Sequence, residues 1–255
     1  MNMLLSNKVA IITGGARGIG RATALRFAEE GCTPVIVDIR VDEAEETLKQ
    51  IADRKGEGIF IQCDVSDSSQ VKIMVDNVIG KYGKIDILVN NAAVSPPERP
   101  FIEITEEEWD WVMDVNLKAA FLCCKAVVPH MMEKKYGKIV NVASLGAIAP
   151  SKVIADYCVA KSGLVMLGQC LATNVAEYNI CVNSVLPGIT RTDFHDFIRP
   201  MEITKDEYFA KLDTTIPMKR VADPREIADV ILFMASDLSR YVTGDRVLAS
   251  GGLIS

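Results

Sequence analysis

The 255-residue sequence predicts a single α/β domain, a doubly wound parallel sheet of about seven strands with helices on both faces. Three observations carry this. Short apolar runs of strand length alternate with longer stretches of helical periodicity, the pattern of strand–helix–strand units. The apolar runs are near-continuous, as strands buried on both faces require. A glycine-rich turn joins the first run to the first helical stretch. No linker composition and no internal repeat divides residues 1–255, so one domain is expected.

The elements follow in order. Val9–Thr13 reads as a buried strand and Gly18–Glu30 as a helix with Ala22, Leu25, Phe27 and Ala28 inward, stopped by Gly31. Pro34–Asp38 is a second strand, and a charged helix covers Asp42–Lys55. Gly58–Cys63 is a third strand, with Ser66 and Asp67 able to cap a helix that ends near Tyr82. Ile85–Asn90 is a fourth. A loop with Pro96, Pro97 and Pro100 leads to a long helix over Thr105–Lys134. Gly137–Ala143 is a fifth strand, Ala155–Glu177 a long helix, Ile180–Leu186 a sixth strand and Val247–Ala249 a seventh. The stretch 188–216 breaks the rhythm. It follows the carboxyl end of the sixth strand, where open α/β sheets bind ligands, and reads as a lid over the substrate.

Composition excludes several classes. A net charge of −6, with no clustered Lys/Arg run, argues against a nucleic-acid surface. The seven cysteines are scattered without a Cys-x-x-Cys, which suits reduced thiols in the cytoplasm and neither a disulfide frame nor a zinc site. Two histidines, His130 and His195, without paired spacing predict no metal. The polar start Met1–Lys8 does not read as a signal peptide, and no apolar run reaches membrane-spanning length.

The turn Thr13–Gly20 reads G-x-x-x-G-x-G from Gly14 through Gly18 to Gly20. Glycines permit a tight turn and close approach to a pyrophosphate, and the helix start offers free N–H groups with partial positive charge. Gly14, Arg17, Gly18, Ile19 and Gly20 are therefore candidate cofactor-binding residues. A phosphate-binding P-loop, the rival reading from Gly15 to Gly20, needs Lys and Ser/Thr next, whereas Arg21 and Ala22 follow. Asp38 closes the second strand, 18 residues after Gly20. An acid there hydrogen-bonds ribose hydroxyls and repels a 2′-phosphate, which favours NAD over NADP. Arg17 and Arg40 are counter-signals.

Tyr157 and Lys161 lie four apart in a helical run, on one face, with Ser144 thirteen residues upstream of Tyr157. A lysine ammonium beside a phenol favours the phenolate, and lowering a phenol from ~10 toward neutrality takes roughly 4 kcal/mol. A tyrosine so tuned exchanges protons with an alcohol or carbonyl. Each residue also has a plainer role: a surface pair, a strand end, a polar residue in mid-helix. The ordered set is what points to catalysis.

These pieces resemble the short-chain dehydrogenase/reductase family almost end to end, from Lys8 to Gly252. The matching residues are Thr13–Gly20, Asp64-Val65, Asn90-Asn91-Ala92-Ala93, Asn116, Ser144, Tyr157 with Lys161, Pro187-Gly188 and Thr192. The resemblance implies a Rossmann-type domain of seven parallel strands. It implies that Tyr157 exchanges the proton with the substrate oxygen. Lys161 would tune that phenol and hold the nicotinamide ribose, and Ser144 would bind the substrate oxygen. Asn116 would keep a helix irregularity and a water relay. It further implies Asp64 and Val65 at the adenine, Asn90 or Asn91 at the middle of the cofactor, and Pro187, Gly188, Ile189 and Thr192 at the carboxamide end. Homotetramers through the two long helices are implied as well. The sequence departs from the family at Ala93, where glycine is usual.

The expected function is NAD(H)-dependent hydride transfer between nicotinamide and a secondary alcohol or ketone. A polar lid with Arg191, Thr192, Asp193, His195 and Asp196 leans the substrate toward a sugar or polyol, and Arg199 could bind an anionic group. The alternative is a 3-oxoacyl-[acyl-carrier-protein] reductase, for which an NADPH preference and a basic docking patch would be usual. A catalytically silent dinucleotide sensor is the remaining class, against which the intact Ser144, Tyr157 and Lys161 speak.

Overall fold

The computed structural model describes residues 3–194 and 202–254. Strands β1 (Val9–Thr13), β2 (Thr33–Asp38), β3 (Ile59–Gln62), β4 (Ile87–Asn90), β5 (Gly137–Val142), β6 (Ile180–Pro187) and β7 (Arg246–Ala249) form one sheet. Its order is β3-β2-β1-β4-β5-β6-β7, and every neighbouring pair is parallel. The chain winds outward from β1 to β3, then crosses back to lay β4 against β1. Ile12 consequently sits between Ile36 and Val89. The crevice at that reversal, beyond the carboxyl ends of β1 and β4, is where such sheets bind ligands.

Alternate residues of each strand feed two cores. Ile11, Val35, Leu88 and Ile139 face α3 (Ser68–Tyr82) and α5 (Ala119–Lys134). Ile12, Ile36, Val89 and Val140 face α1 (Gly18–Glu29) and α8 (Pro224–Ala235). Both faces are covered, which explains the near-continuous apolar strands. Asp67 caps α3 by accepting the Ser69 N–H at 2.8 Å, as its sequence position predicts.

Three departures from the sequence reading are physical. Helix α8 was not anticipated, although Asp223-Pro224-x-Glu226 carries a full capping box with proline in the first turn. Its apolar face, Ile227, Ile231 and Leu232, packs in the core shared with α1. The predicted lid contains a regular helix, α7 (Lys205–Thr215), capped by Thr204. The expected single helix over Thr105–Lys134 is three pieces: α4 (Glu106–Met113), a π-helical turn at Asp114–Lys118, and α5. Single π turns of this kind cluster at functional positions, and this one carries Asn116. Helices α2 (Val41–Asp53) and α6 (Ala155–Val175) complete the set.

Phe27 is fully buried on α1, in the core shared with α8. Phe27→Ala is expected to lower unfolding free energy by about 3–5 kcal/mol, read from urea denaturation. A loss below ~1 kcal/mol would show that α1 is not anchored through this core.

Candidate active site

At the first crevice wall, Arg17 is the N-cap of α1 and makes no side-chain cap hydrogen bond. The first N–H groups of that helix thus remain open to an anion. Gly14 has φ +61°, a left-handed conformation that glycine adopts without strain. A Cβ at Gly20 would lie 2.0 Å from the Gly14 oxygen and 2.7 Å from Asn91 Nδ2. The turn is therefore closed to any side chain there, and its backbone is bare on the crevice side. Asn91 donates through Nδ2 to the Thr13 and Gly14 carbonyls at 2.9 and 3.0 Å, pinning β4 to the turn. These features fit a pyrophosphate bound by backbone.

Asp38 stands at the tip of β2, 9% exposed. Its carboxylate accepts the Ala16 and Arg40 N–H groups, each at 3.1 Å. The negative charge is thus held directly against the glycine turn. The Arg40 guanidinium pairs with Glu43 at 3.5 Å, both half exposed. Asp64 and Val65 follow β3, and Cys63 donates its N–H to the Asp38 carbonyl at 3.1 Å. Asn90 behaves differently from Asn91. Its Nδ2 donates to Asn141 Oδ1 at 2.9 Å inside the sheet, so its side chain is spent on β5 and not on the turn.

The second wall carries Ser144, Tyr157 and Lys161. Ser144, two residues beyond β5, caps a short turn, accepting the Gly146 N–H at 3.1 Å. Tyr157 and Lys161 project from the first turns of α6, both buried. Lys161 Nζ donates to the Val142 carbonyl at 2.9 Å and lies 5.6 Å from the Tyr157 ring centroid. The expected acidified phenol is corrected here. Burial pushes the Tyr157 phenol up to about 12, with the Ser144 hydroxyl acting the other way. Burial also pushes the Lys161 ammonium down to about 8. Desolvation is the largest influence on each group and disfavours the charged form of both. Asn116 is buried on the π turn. It grips the loop after β4, accepting the Val94 N–H at 2.8 Å and donating to the Val94 carbonyl at 3.0 Å.

The third wall follows β6. Gly188 donates its N–H to the Ala249 carbonyl at 2.9 Å, and a Cβ there would lie 2.7 Å from Ser250 Cα. Pro187 and Ile189 flank it, and the Ile189 carbonyl accepts the Ala222 N–H at 3.0 Å. The Thr192 side chain reaches within 3.4 Å of the place a Gly18 Cβ would occupy. The lid thus closes onto the glycine turn. Among its described residues, Arg191 pairs with Asp206 at 3.3 Å and stacks over Phe209, and Asp193 pairs with Lys205. Two of the residues read as a sugar wall, Arg191 and Asp193, are thus engaged in ion pairs within this segment. His195, Asp196 and Arg199 lie outside the described residues.

Two residues were missed by sequence reasoning. Phe194 rests against the Tyr157 ring with centroids 5.7 Å apart. Arg99 joins the loop after β4 to α4 through an ion pair with Glu108. Neither carries a motif; only the fold brings them to the site.

The profile of the family described as Enoyl-(Acyl carrier protein) reductase matches residues 14–254. The 3-oxoacyl-[acyl-carrier-protein] reductase FabG of Thermotoga maritima is 38% identical over 252 residues, covering 99% of this chain and 100% of the relative. The uncharacterized oxidoreductase YxbG of Bacillus subtilis is also 38% identical, over 98% of this chain and 92% of its own. Among solved structures, a short-chain type dehydrogenase/reductase from Mycobacterium marinum superposes with a TM-score of 0.90 at 31% identity, covering 98% of this chain and 97% of its own. Levodione reductase does so at 0.89 and 32%, covering 97% and 98%. Taken with the glycine turn, the seven-stranded parallel sheet and the Ser144–Tyr157–Lys161 wall, these likenesses place the chain in the short-chain dehydrogenase/reductase family of oxidoreductases.

Proposed function

We propose that the protein is an NADH-preferring ketone reductase whose substrate is a 3-oxoacyl thioester. The observation that carries the reading is the convergence of Ser144 with the buried Tyr157 and Lys161 beyond the carboxyl end of β5. Nicotinamide dinucleotide supplies the hydride when bound. The chain supplies the proton and the positioning. The protonated Tyr157 phenol would donate to an oxygen that gains negative charge. That is the requirement of ketone reduction. Ser144 offers a second donor to the same oxygen. Lys161, held by Val142, would reach the ribose, and Gly14, Arg17, Gly18, Ile19 and Gly20 would hold the phosphates. Asp64 and Val65 would meet the adenine, and Pro187, Gly188, Ile189 and Thr192 the carboxamide.

Asp38 supports NADH, since a fixed carboxylate at the end of β2 opposes a 2′-phosphate. The 3-oxoacyl substrate is supported by the name of the Thermotoga relative. The sugar or polyol reading is weakened by the ion pairs that engage Arg191 and Asp193 within the lid. A homotetramer is supported by apolar side chains left exposed on the long helices: Trp111, Phe121, Val159 and Met166. No helix among the described residues is long and apolar enough to cross a membrane, and the seven cysteines are free, which suits a cytoplasmic setting.

Acetoacetyl thioester is expected to consume NADH, followed by absorbance, alongside a panel of ketones. Turnover of other ketones without turnover of the thioester would overturn the substrate assignment. Tyr157→Phe is expected to cut kcat by at least about 100-fold and leave NADH affinity unchanged; undiminished turnover would end the mechanism. Asp38→Asn, which removes the charge and keeps an acceptor, is expected to narrow the NADH-over-NADPH preference in kcat/KM by about tenfold or more. A wild type that prefers NADPH would refute the cofactor reading.

Lys161 also fixes a pH dependence. Its folded pKa of about 8 lies below the ordinary 10.5. Between these values the unfolded chain binds more protons than the native one, so native stability rises with pH. Relative to Lys161→Met, wild type is expected to gain about 2–3 kcal/mol between pH 7 and 10, measured by denaturant titration. A flat difference would mean that the amine is not buried as a cation.

A further inference from the structure

Arg21 follows the glycine turn at the place where a phosphate-binding P-loop would carry lysine. Its side chain lies between the turn and α2. Nε donates to the Ala16 carbonyl and to the Thr47 hydroxyl, each at 2.9 Å, and Nη2 donates to the Glu43 carbonyl at 3.2 Å. Thr47, on α2, is fully buried. Its hydroxyl lies 2.9 Å from both the Ala16 and the Glu43 carbonyl oxygens. The Ala16 N–H is meanwhile donated to Asp38 at 3.1 Å.

Ala16 is therefore held from both sides, its N–H by the tip of β2 and its carbonyl by α1 and α2. In a trans peptide the carbonyl and the next N–H point in opposite directions. Anchoring the Ala16 carbonyl on Thr47 thus turns the N–H of Arg17, the N-cap of α1, away from α2. Arg21 differs from Arg26, further along the same helix, which pairs with Glu30 at 2.6 Å and Asp229 at 2.7 Å. Arg21 makes no ion pair among the described residues. Its charge falls on neutral acceptors, and hydrogen bonds from an ionised donor are about twice as strong as neutral ones.

We propose that Arg21 and Thr47 are positioning residues for the dinucleotide, acting through the Ala16 peptide. They hold the glycine turn in the form that presents the start of α1 to the pyrophosphate, and they keep the turn against Asp38. This rests on the reading of the turn as the dinucleotide site and adds two residues that act on it through the backbone.

The test titrates the full-length protein with NADH and NADPH, followed by fluorescence, with kcat, KM and melting temperature recorded alongside. Arg21→Met is expected to weaken NADH binding about tenfold, with kcat at saturating NADH and KM for the best ketone of the panel within twofold. Thr47→Val removes the hydroxyl at nearly the same volume and is expected to weaken NADH binding about threefold. The double variant is expected to bind about as weakly as Arg21→Met, because both side chains act on one peptide. Arg21→Lys keeps the charge without the planar fork and is expected to fall between wild type and Arg21→Met. A lower melting temperature with unchanged NADH affinity in Arg21→Met would overturn the proposal, leaving a purely structural role. Full recovery in Arg21→Lys with a neutral Thr47→Val would also overturn it, by making the charge alone responsible. If Arg21→Met does not fold, Thr47→Val and Arg21→Lys decide on the same terms. The titration needs no substrate. Wild type that binds neither dinucleotide would end the reading of the turn and this proposal together. Wild-type affinity in the variants would end this proposal alone, with the Tyr157→Phe result still upholding the assigned function.

Discussion

A buried ammonium resting on a strand-end carbonyl organises this site. The Lys161–Val142 hydrogen bond, 2.9 Å long, joins the last residue of β5 to the second turn of α6. It sets the rotation of that helix and hence the direction of Tyr157 one turn earlier. The contact is expensive in isolation, because a cation is kept almost dry. It persists because the surrounding fold determines it: Leu164 and Val165, next along α6, pack against Ala143 and Leu186 at the strand ends. Local stability has been given up for geometry, as is common where side chains must be aimed at a reacting group.

The sheet topology explains why residues from distant stretches meet. Parallel strands all deliver their carboxyl ends to one edge. Thr13, Asp38, Asn90, Val142 and Pro187 each end or nearly end a strand there, and the turns that follow bear the site. Asn91 and Asn116 act as braces between these turns. One ties β4 to the glycine turn, the other ties the π turn to the loop beyond β4.

Much of this was legible beforehand because it is written in local chemistry. The glycine run, the apolar strands, Asp67 as a cap and the Tyr157–Lys161 spacing each follow from short-range rules. The strand β1 and the start of α6 fall where those rules put them. The missed features are mostly of other kinds. The π turn arises where a helix must present Asn116 to a loop twenty-two residues away in sequence, which no periodicity encodes. The phenol's raised pKa is a property of burial, and burial is set by the whole fold. The pairing of Arg191 with Asp206 and of Asp193 with Lys205 turned apparent substrate ligands into scaffold. Helix α8 is the exception, since its capping box was in plain view.

The Phe194 ring leans on Tyr157 at an interplanar angle of 51°. A bulky reactant can approach that side of the phenol only if the aromatic contact loosens. Access to that face of the phenol is thereby tied to how firmly a single phenyl group is seated.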